Sequence, residues 1–299
     1  MNCPVCDSNQ ESLKFAGLKD WEYETCSSID FYQCGDCGLL FQKPLPSIDL
    51  ISSFYPKNYR NYLPIGSGIF SQLKKIKFRD QAKKLSGVFG ERSAKILEIG
   101  YGNGELLIAF QDLDYKNLYG CDFSDTAAKR LTEKGIQVKI ANVEREIPFD
   151  EKFDIIILNN VIEHFLDPVA VMKNCHSKLK PDGQLILFTP NTKAIEFKIF
   201  GKYWAGLHIP RHIHLFNQAN LELMAHNSGF FSIRFHADLD PAQWAISIQN
   251  SLQDTKLFHS PLKNGMSFYM VPLSLMFIPV TLLQRLMENS TGLMCIVRR

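Results

Sequence analysis

The stretch Glu98-Ile99-Gly100-Tyr101-Gly102-Asn103-Gly104 constrains this 299-residue chain more than any other. It follows the short apolar run Lys95-Ile96-Leu97 and precedes a helix-like run from Glu105 to Gln111. It therefore reads as strand, tight turn and helix start, the first crossover of a doubly wound α/β sheet. Glycine lets the backbone turn sharply and admits a ligand where a Cβ would stand in the way. The spacing narrows the ligand. A dinucleotide site wants GxGxxG, with bare amides and a helix N-terminus facing a pyrophosphate; here the third glycine falls one position early and Glu105 takes the later place. A P-loop would end in GK[ST], which this bend lacks. Glu98 opens the bend and no Lys or Arg follows until Lys116. That suits a nucleoside carrying positive charge better than one carrying phosphates. The next strand, Leu118 to Cys121, ends at Asp122, about 20 residues past the glycines, where a carboxylate can take both ribose hydroxyls.

Four blocks extend the pattern: Ile96 to Gly104, then Tyr119-Gly120-Cys121-Asp122-Phe123-Ser124, then Phe153-Asp154-Ile155-Ile156-Ile157, and Leu179-Lys180-Pro181-Asp182-Gly183-Gln184-Leu185-Ile186-Leu187. In that order, over roughly residues 92 to 191, they resemble the class I S-adenosylmethionine (SAM)-dependent methyltransferases. The resemblance implies an α/β fold, a Rossmann-like seven-stranded sheet with an antiparallel last strand, and SAM as cofactor. It implies a cofactor site at Glu98, Gly100, Tyr101, Gly102, Gly104, Asp122, Phe123, Asn142, Val143 and Asn159. Many methyltransferases carry an aspartate at the position of Asn142, whose side-chain oxygen can still accept from the adenine amino group. Apolar runs alternate with helical ones as a parallel sheet requires: strands 95–99, 118–121, 136–140, 153–158 and 184–189, and helices 104–111, 124–134 and 168–179.

Lys+Arg 33 against Asp+Glu 31 leaves a net charge of +2, so no duplex nucleic acid partner is indicated. Met1-Asn2-Cys3-Pro4 lacks the regions of a signal peptide, and a cytoplasmic location is the default. The length suits one sizeable core with an appendage.

That appendage shows in the cysteines. Cys3-Pro4-Val5-Cys6 and Cys34-Gly35-Asp36-Cys37 are two CxxC knuckles separated by a stretch able to form a hairpin, and four thiolates suit a tetrahedral Zn²⁺. A closed four-thiolate shell would support the fold and not catalyse. Redox pairs and disulfides are the alternatives; neither pair has a thioredoxin-like βαβ around it, and a reducing cytoplasm disfavours disulfides. Cys26 reads as a packed or free thiol. The expected organisation is a zinc ribbon over 1–43, a linker with cofactor-covering helices over 44–91, and the methyltransferase domain over 92–299. Pro44, Pro46, Pro56 and Pro64 leave room for at most a short helix within 50–62. Tyr55, Tyr59 and Tyr62 beside it either pack the ribbon on the core or touch cofactor or acceptor. Leu73 to Leu85 reads as an amphipathic helix with a solvated lysine face.

The fourth strand ends in Asn159-Asn160-Val161-Ile162-Glu163-His164, on the edge that faces the ligand crevice. This stretch is similar to that of the quinone-biosynthesis O-methyltransferases, where Glu-x-x-Glu-His can hold a divalent ion. With Asn160 in the first acidic position, Glu163 and His164 alone make a poor magnesium site. After Pro190-Asn191 comes an insertion, 192–217, that should overhang the methyl end. His212-x-His214 with Phe216-Asn217 before a helix from Gln218 to Asn227, together with the cysteine-rich N-terminus, looks like the zinc-containing deoxysugar C-methyltransferases. Ile213 replaces the Glu of their Glu-His pair, so only His214 carries over as base and O- or N-methylation is equally open. His214 is the first catalytic candidate, with His212 and His164 behind it; Tyr203, His208 and Arg211 are acceptor-site candidates. Each histidine could instead be a hydrogen-bonded structural residue.

A second insertion, 237–291, precedes the last strand. Within it 266–283 is uncharged and broken by Pro272 and Pro279, and reads as a helical lid, a homodimer face or an in-plane membrane contact at the inner face of the membrane. The expected acceptor is a small molecule or a lipid-linked glycan, foremost a sugar or polysaccharide precursor. A quinone-type O-methyltransferase, a noncatalytic zinc-ribbon module on a Rossmann-like scaffold, and an RNA methyltransferase are the competing readings.

Overall fold

The computed structural model describes residues 2–26, 28–63, 69–89, 91–255, 262–287 and 289–299. Pro64 lies outside them. Three strands come first, β1 (Glu11–Leu18), β2 (Ile29–Cys34) and β3 (Leu40–Gln42). A short helix α1 (Ile48–Ile51) and one further turn, Ser52–Phe54, lead to the long helix α2 (Ile69–Phe89), which extends past the expected amphipathic stretch at both ends.

The alternating core then runs β4 (Ile96–Ile99), α3 (Glu105–Gln111), β5 (Leu118–Asp122), α4 (Ala128–Glu133), β6 (Gln137–Ile140), β7 (Phe153–Asn159), α5 (Pro168–Lys178) and β8 (Leu179–Pro190). The first insertion holds α6 (Ile195–Phe200) and β9 (His214–Leu215) and is followed by α7 (Gln218–Asn227) and β10 (Ser232–Asp238). The second holds α8 (Ala242–Asp254), α9 (Met270–Met276) and α10 (Ile278–Leu286) before β11 (Gly292–Arg298).

The main sheet is seven-stranded, in the order β10-β11-β8-β7-β4-β5-β6, with β11 antiparallel to both neighbours and the other pairs parallel. This is the Rossmann-like methyltransferase sheet. Its inner strands β4, β5, β7, β8 and β11 are mostly buried, and the period of two divides their side chains between the two faces. Ile96, Leu118, Ile155, Ile157 and Ile186 pack on the side of α2, α3 and α4. Leu97, Ile99, Ile156, Leu158 and Leu187 pack on the side of α5 and α7, where Cys3, Val5, Leu39 and Phe41 join them. The cysteine-rich segment is thus built onto the core.

Several boundaries moved for identifiable reasons. Helix α4 starts four residues later than expected because Asp122 Oδ1 accepts from the Ser124 N–H at 2.9 Å and the Ser124 and Thr126 hydroxyls pair at 2.7 Å, holding a turn there. Helix α7 starts as expected, since Asn217 and Asn220 exchange side-chain-to-backbone bonds of 3.1 and 2.9 Å in a reciprocal cap. The largest departure concerns the N-terminal segment. Its sheet has the order β1-β2-β3-β9, and the fourth strand, His214–Leu215, comes from the insertion 192–217.

Candidate functional site

The bend between β4 and α3 has the expected left-handed glycines: Gly100, Gly102 and Gly104 have φ of 71, 51 and 75°. A Cβ on Gly100 would lie 2.4 Å from Val161 Cγ2, and one on Gly104 2.6 Å from Leu131 Cδ2. Asp122, at the end of β5, accepts the Gly102 N–H on Oδ2 at 2.9 Å. Its carboxyl is pushed up to about 6, mainly by burial. Glu98 is buried, its Oε2 has no hydrogen-bond partner, and burial followed by the nearby Asp122 charge pushes its carboxyl well up. A cradle of glycines with two buried carboxyls beside it, one oxygen of Glu98 unpartnered among the described residues, fits SAM, which is both cationic and a nucleoside.

The other expected cofactor residues are less uniform. Tyr101 turns inward against Gly120 and the α3 side of the core, so its backbone, not its ring, is at the bend. Phe123 stands 55% exposed beside Tyr55. Asn142 Oδ1 already accepts the Glu144 N–H at 2.9 Å, Val143 is buried, and Asn159 Oδ1 accepts from Gln81 at 3.3 Å.

A tyrosine strap crosses the bend. The Tyr55 ring lies 5.6 Å from Phe123 and 6.3 Å from His164, the Tyr59 ring 5.3 Å from Tyr62, and the Asn61 carbonyl would sit 3.4 Å from a Cβ on Gly102. The strap thus covers the bend and reaches the histidines.

Those histidines come from two segments. His164 follows β7; His208 and His212 come from the insertion, and the His164 and His212 rings are 4.7 Å apart, those of His208 and His212 5.0 Å. Carbonyls fix their tautomers, because a carbonyl can only accept. His164 Nδ1 donates to the Arg211 carbonyl at 2.8 Å, and His212 Nδ1 to that of Gly206 at 2.7 Å. Their Nε2 atoms therefore carry the lone pairs. His208 is engaged on both sides: Nδ1 donates to Glu22 Oε1 at 2.8 Å, and Nε2 accepts from Arg211 Nε at 2.9 Å. Burial holds His164 down at about 3 and His212 well below the ordinary range, so both are neutral at pH 7.

Three expected roles change. His214 lies in β9, fully buried in the ribbon sheet; Nδ1 donates to the Phe165 carbonyl at 3.1 Å, and Nε2 is buried without a partner. Its ring lies 6.4 Å from that of Phe216, whereas His212 contacts both His164 and His208. Arg211 is 1% exposed and clamps Asp20 and the Phe54 carbonyl, so its guanidinium is not open to an acceptor. Tyr203 donates to Asp254 Oδ2 at 2.5 Å, at the end of α8. Asp20 on Arg211, and Glu22 between His208 and Arg60, complete the network; no spacing in the sequence signals them, because these groups meet only through the fold.

Two groups could hold a metal. Cys3, Cys6, Cys34 and Cys37 place all four Sγ atoms within 4.8 Å of one another. The Cys3–Cys37 and Cys6–Cys34 separations of 3.6 and 3.5 Å are far too long for a disulfide and near the ~3.8 Å edge of a tetrahedron with ~2.3 Å Zn–S bonds. Cys26 stands apart, its thiol pushed up to about 11 by burial. Glu163, His164 and His212 form the second group, so the insertion supplies the third donor that Glu163 and His164 lack in sequence. Glu163 is fully buried; Oε2 accepts from the Thr189 hydroxyl at 3.1 Å, and Oε1 faces His212 Nε2 at 3.7 Å.

Comparison with known proteins identifies the family of the fold. Residues 73–233, more than half of the chain, match the model of a methyltransferase domain family. A ubiquinone biosynthesis O-methyltransferase of Actinobacillus pleuropneumoniae is 30% identical over 149 residues, covering 46% of this chain and 62% of that protein. The enzyme of the same name from Rhodopseudomonas palustris is 34% identical over 164 residues, covering 52% and 63%. The chain thus spans about three fifths of the length of these relatives. A SAM-dependent methyltransferase structure from Archaeoglobus fulgidus aligns with a TM-score of 0.49 at 17% identity, over 76% of this chain and 94% of that one.

Proposed function

Since the chain belongs to the methyltransferase domain family, we propose that it is a SAM-dependent methyltransferase acting on a hydroxyl oxygen of a small aromatic acceptor of the quinol or catechol kind. The observation that carries this reading is His164: neutral, with Nδ1 on the Arg211 carbonyl and its ring beside the aromatic strap. The cofactor supplies an electrophilic methyl group when bound at the glycine bend, with Asp122 and Glu98 as its polar contacts. The protein's tasks are then to align the hydroxyl with that methyl group, exclude water and accept one proton. His164 Nε2 takes the proton, and Tyr55, Tyr62 and Phe123 offer flat apolar surface to an aromatic ring.

Similarity to enzymes named as ubiquinone O-methyltransferases supports oxygen as the methylated atom. The glycan-precursor reading rests on resemblance in two segments, the cysteine-rich N-terminus and the stretch around His212 and His214, and is the competing reading. We assign the four cysteines to a structural zinc, with 1–43, 44–91 and 92–299 as the units of the chain.

The test is transfer of labelled methyl groups from SAM to a catechol such as caffeate and, separately, to a nucleotide-linked keto-sugar. Oxygen methylation of the catechol, lost in His164→Ala while SAM still binds by calorimetry, is expected. Transfer to the sugar alone overturns the reading.

A further inference from the structure

Helix α10 is built inside out. Thr281 and Gln284 are its buried residues, and Gln284 accepts from Trp244 Nε1 at 3.0 Å while donating to Glu196 Oε2 at 2.6 Å. Ile278, Leu282, Leu283 and Leu286 point outward, 40 to 81% exposed. Leu275 and Met276 at the end of α9 continue this face, and Phe268 before it is 86% exposed. Between Gly265 and Gln284 there is no charged residue. Isolated exposed apolar side chains are ordinary, but a contiguous apolar face over polar residues turned inward marks a contact surface.

Cationic groups border it. A cavity of about 360 Å³ at the end of α10 is lined by Lys193, Lys198 and Met287. Ile199, next to Lys198, is 61% exposed, and Arg285 is exposed on α10 itself. The ion pairs of the described residues involve other lysines and arginines.

We infer that α9, α10 and the Lys193–Lys198 cavity form a docking face for an anionic phospholipid surface. The apolar side chains enter the headgroup layer and the lysines meet lipid phosphates. A second copy packed across a two-fold axis would set Lys193, Lys198 and Arg285 against their own counterparts, whereas an anionic layer complements both the apolar and the basic parts. The two helices have 7 and 9 residues, and no helix among the described residues is long and apolar enough to cross a membrane, so the contact lies in the plane of the surface. Helix α8 ties this face to the acceptor segment: Trp244 stacks on Phe277 at 5.0 Å, and Ser247 Oγ accepts the Ala205 N–H at 2.9 Å. The inference does not depend on which acceptor is methylated.

Vesicle co-sedimentation of the full chain tests it, with phosphatidylcholine alone and with phosphatidylcholine containing phosphatidylglycerol. Binding to the anionic vesicles is expected, falling at least about tenfold in Leu282→Gln/Leu286→Gln, whose changed side chains face outward. Lys193→Glu/Lys198→Glu should lower binding by about fivefold per lysine and remove the preference for phosphatidylglycerol. Failure of the parent protein to sediment with either vesicle overturns the proposal. So does a dimer, seen by light scattering, that the leucine variant dissolves, or unchanged vesicle binding in both variants.

Discussion

Arg211 and Asp20 lie 191 positions apart in sequence and meet side to side, two guanidinium nitrogens each 3.0 Å from a different carboxylate oxygen. The backbone carbonyl of the same Arg211 accepts the hydrogen bond from His164 Nδ1–H. A residue of the cysteine-rich segment therefore fixes, through one arginine, the tautomer of the proposed base.

Burial by itself would raise the Asp20 carboxyl, yet the hydrogen bonds and charge of Arg211 hold it below the ordinary range. Asp20→Ala should destabilise the protein by about 3–5 kcal/mol, because it leaves a buried guanidinium without its counter-ion. A carboxyl lowered in the folded state contributes stability that is present above its unfolded pKa and is lost as the pH falls through the lowered value. The parent protein's advantage over the variant should hold at neutral pH and shrink below about pH 4. Urea unfolding across the acid range checks both.

His164→Ala should lower kcat by about 10²–10⁴ while leaving SAM affinity within about twofold. His214→Ala should change kcat by less than about tenfold and act mainly on the melting temperature, since that ring is packed in the ribbon sheet. Steady-state kinetics beside calorimetric SAM titration separates the two. A larger kcat loss at His214 would return the role of base to it.

Asp122 sets a pH limit on cofactor binding. Its folded pKa, raised to about 6 by burial, makes its own contribution to folding largest at low pH and smaller as pH rises through that value. Binding should follow the opposite sign, because the ionised carboxylate accepts ribose hydroxyls best. SAM affinity should fall as pH drops through about 6 in the parent, and be weaker and flat over the same range in Asp122→Asn. Calorimetry from about pH 5 to about pH 7 reads this.

The four cysteines should carry one zinc per chain. Cys34→Ser should release it and lower the melting temperature by on the order of 10 °C. Activity should fall too, since β9 and Asp20 belong to the structure this metal would support. Metal analysis, a thermal melt and a transfer assay on one preparation check the coupling.

Local signals carried much of this far. The glycine bend, the alternation of apolar runs and the CxxC spacing depend on residues close in sequence, where backbone sterics and periodicity decide the outcome. The sheet, the cysteine cluster and the start of α7 were legible for that reason.

What the sequence by itself determined is the fold family, the cofactor chemistry and the set of histidines and cysteines available. Tertiary structure alone decided which histidines meet, what Arg211 binds, that β9 pairs with β3, and that α10 turns its leucines outward. Each of these depends on packing between segments dozens to nearly two hundred residues apart. Spacing in the chain says which side chains exist, while burial and a partner's geometry say whether they act or only support.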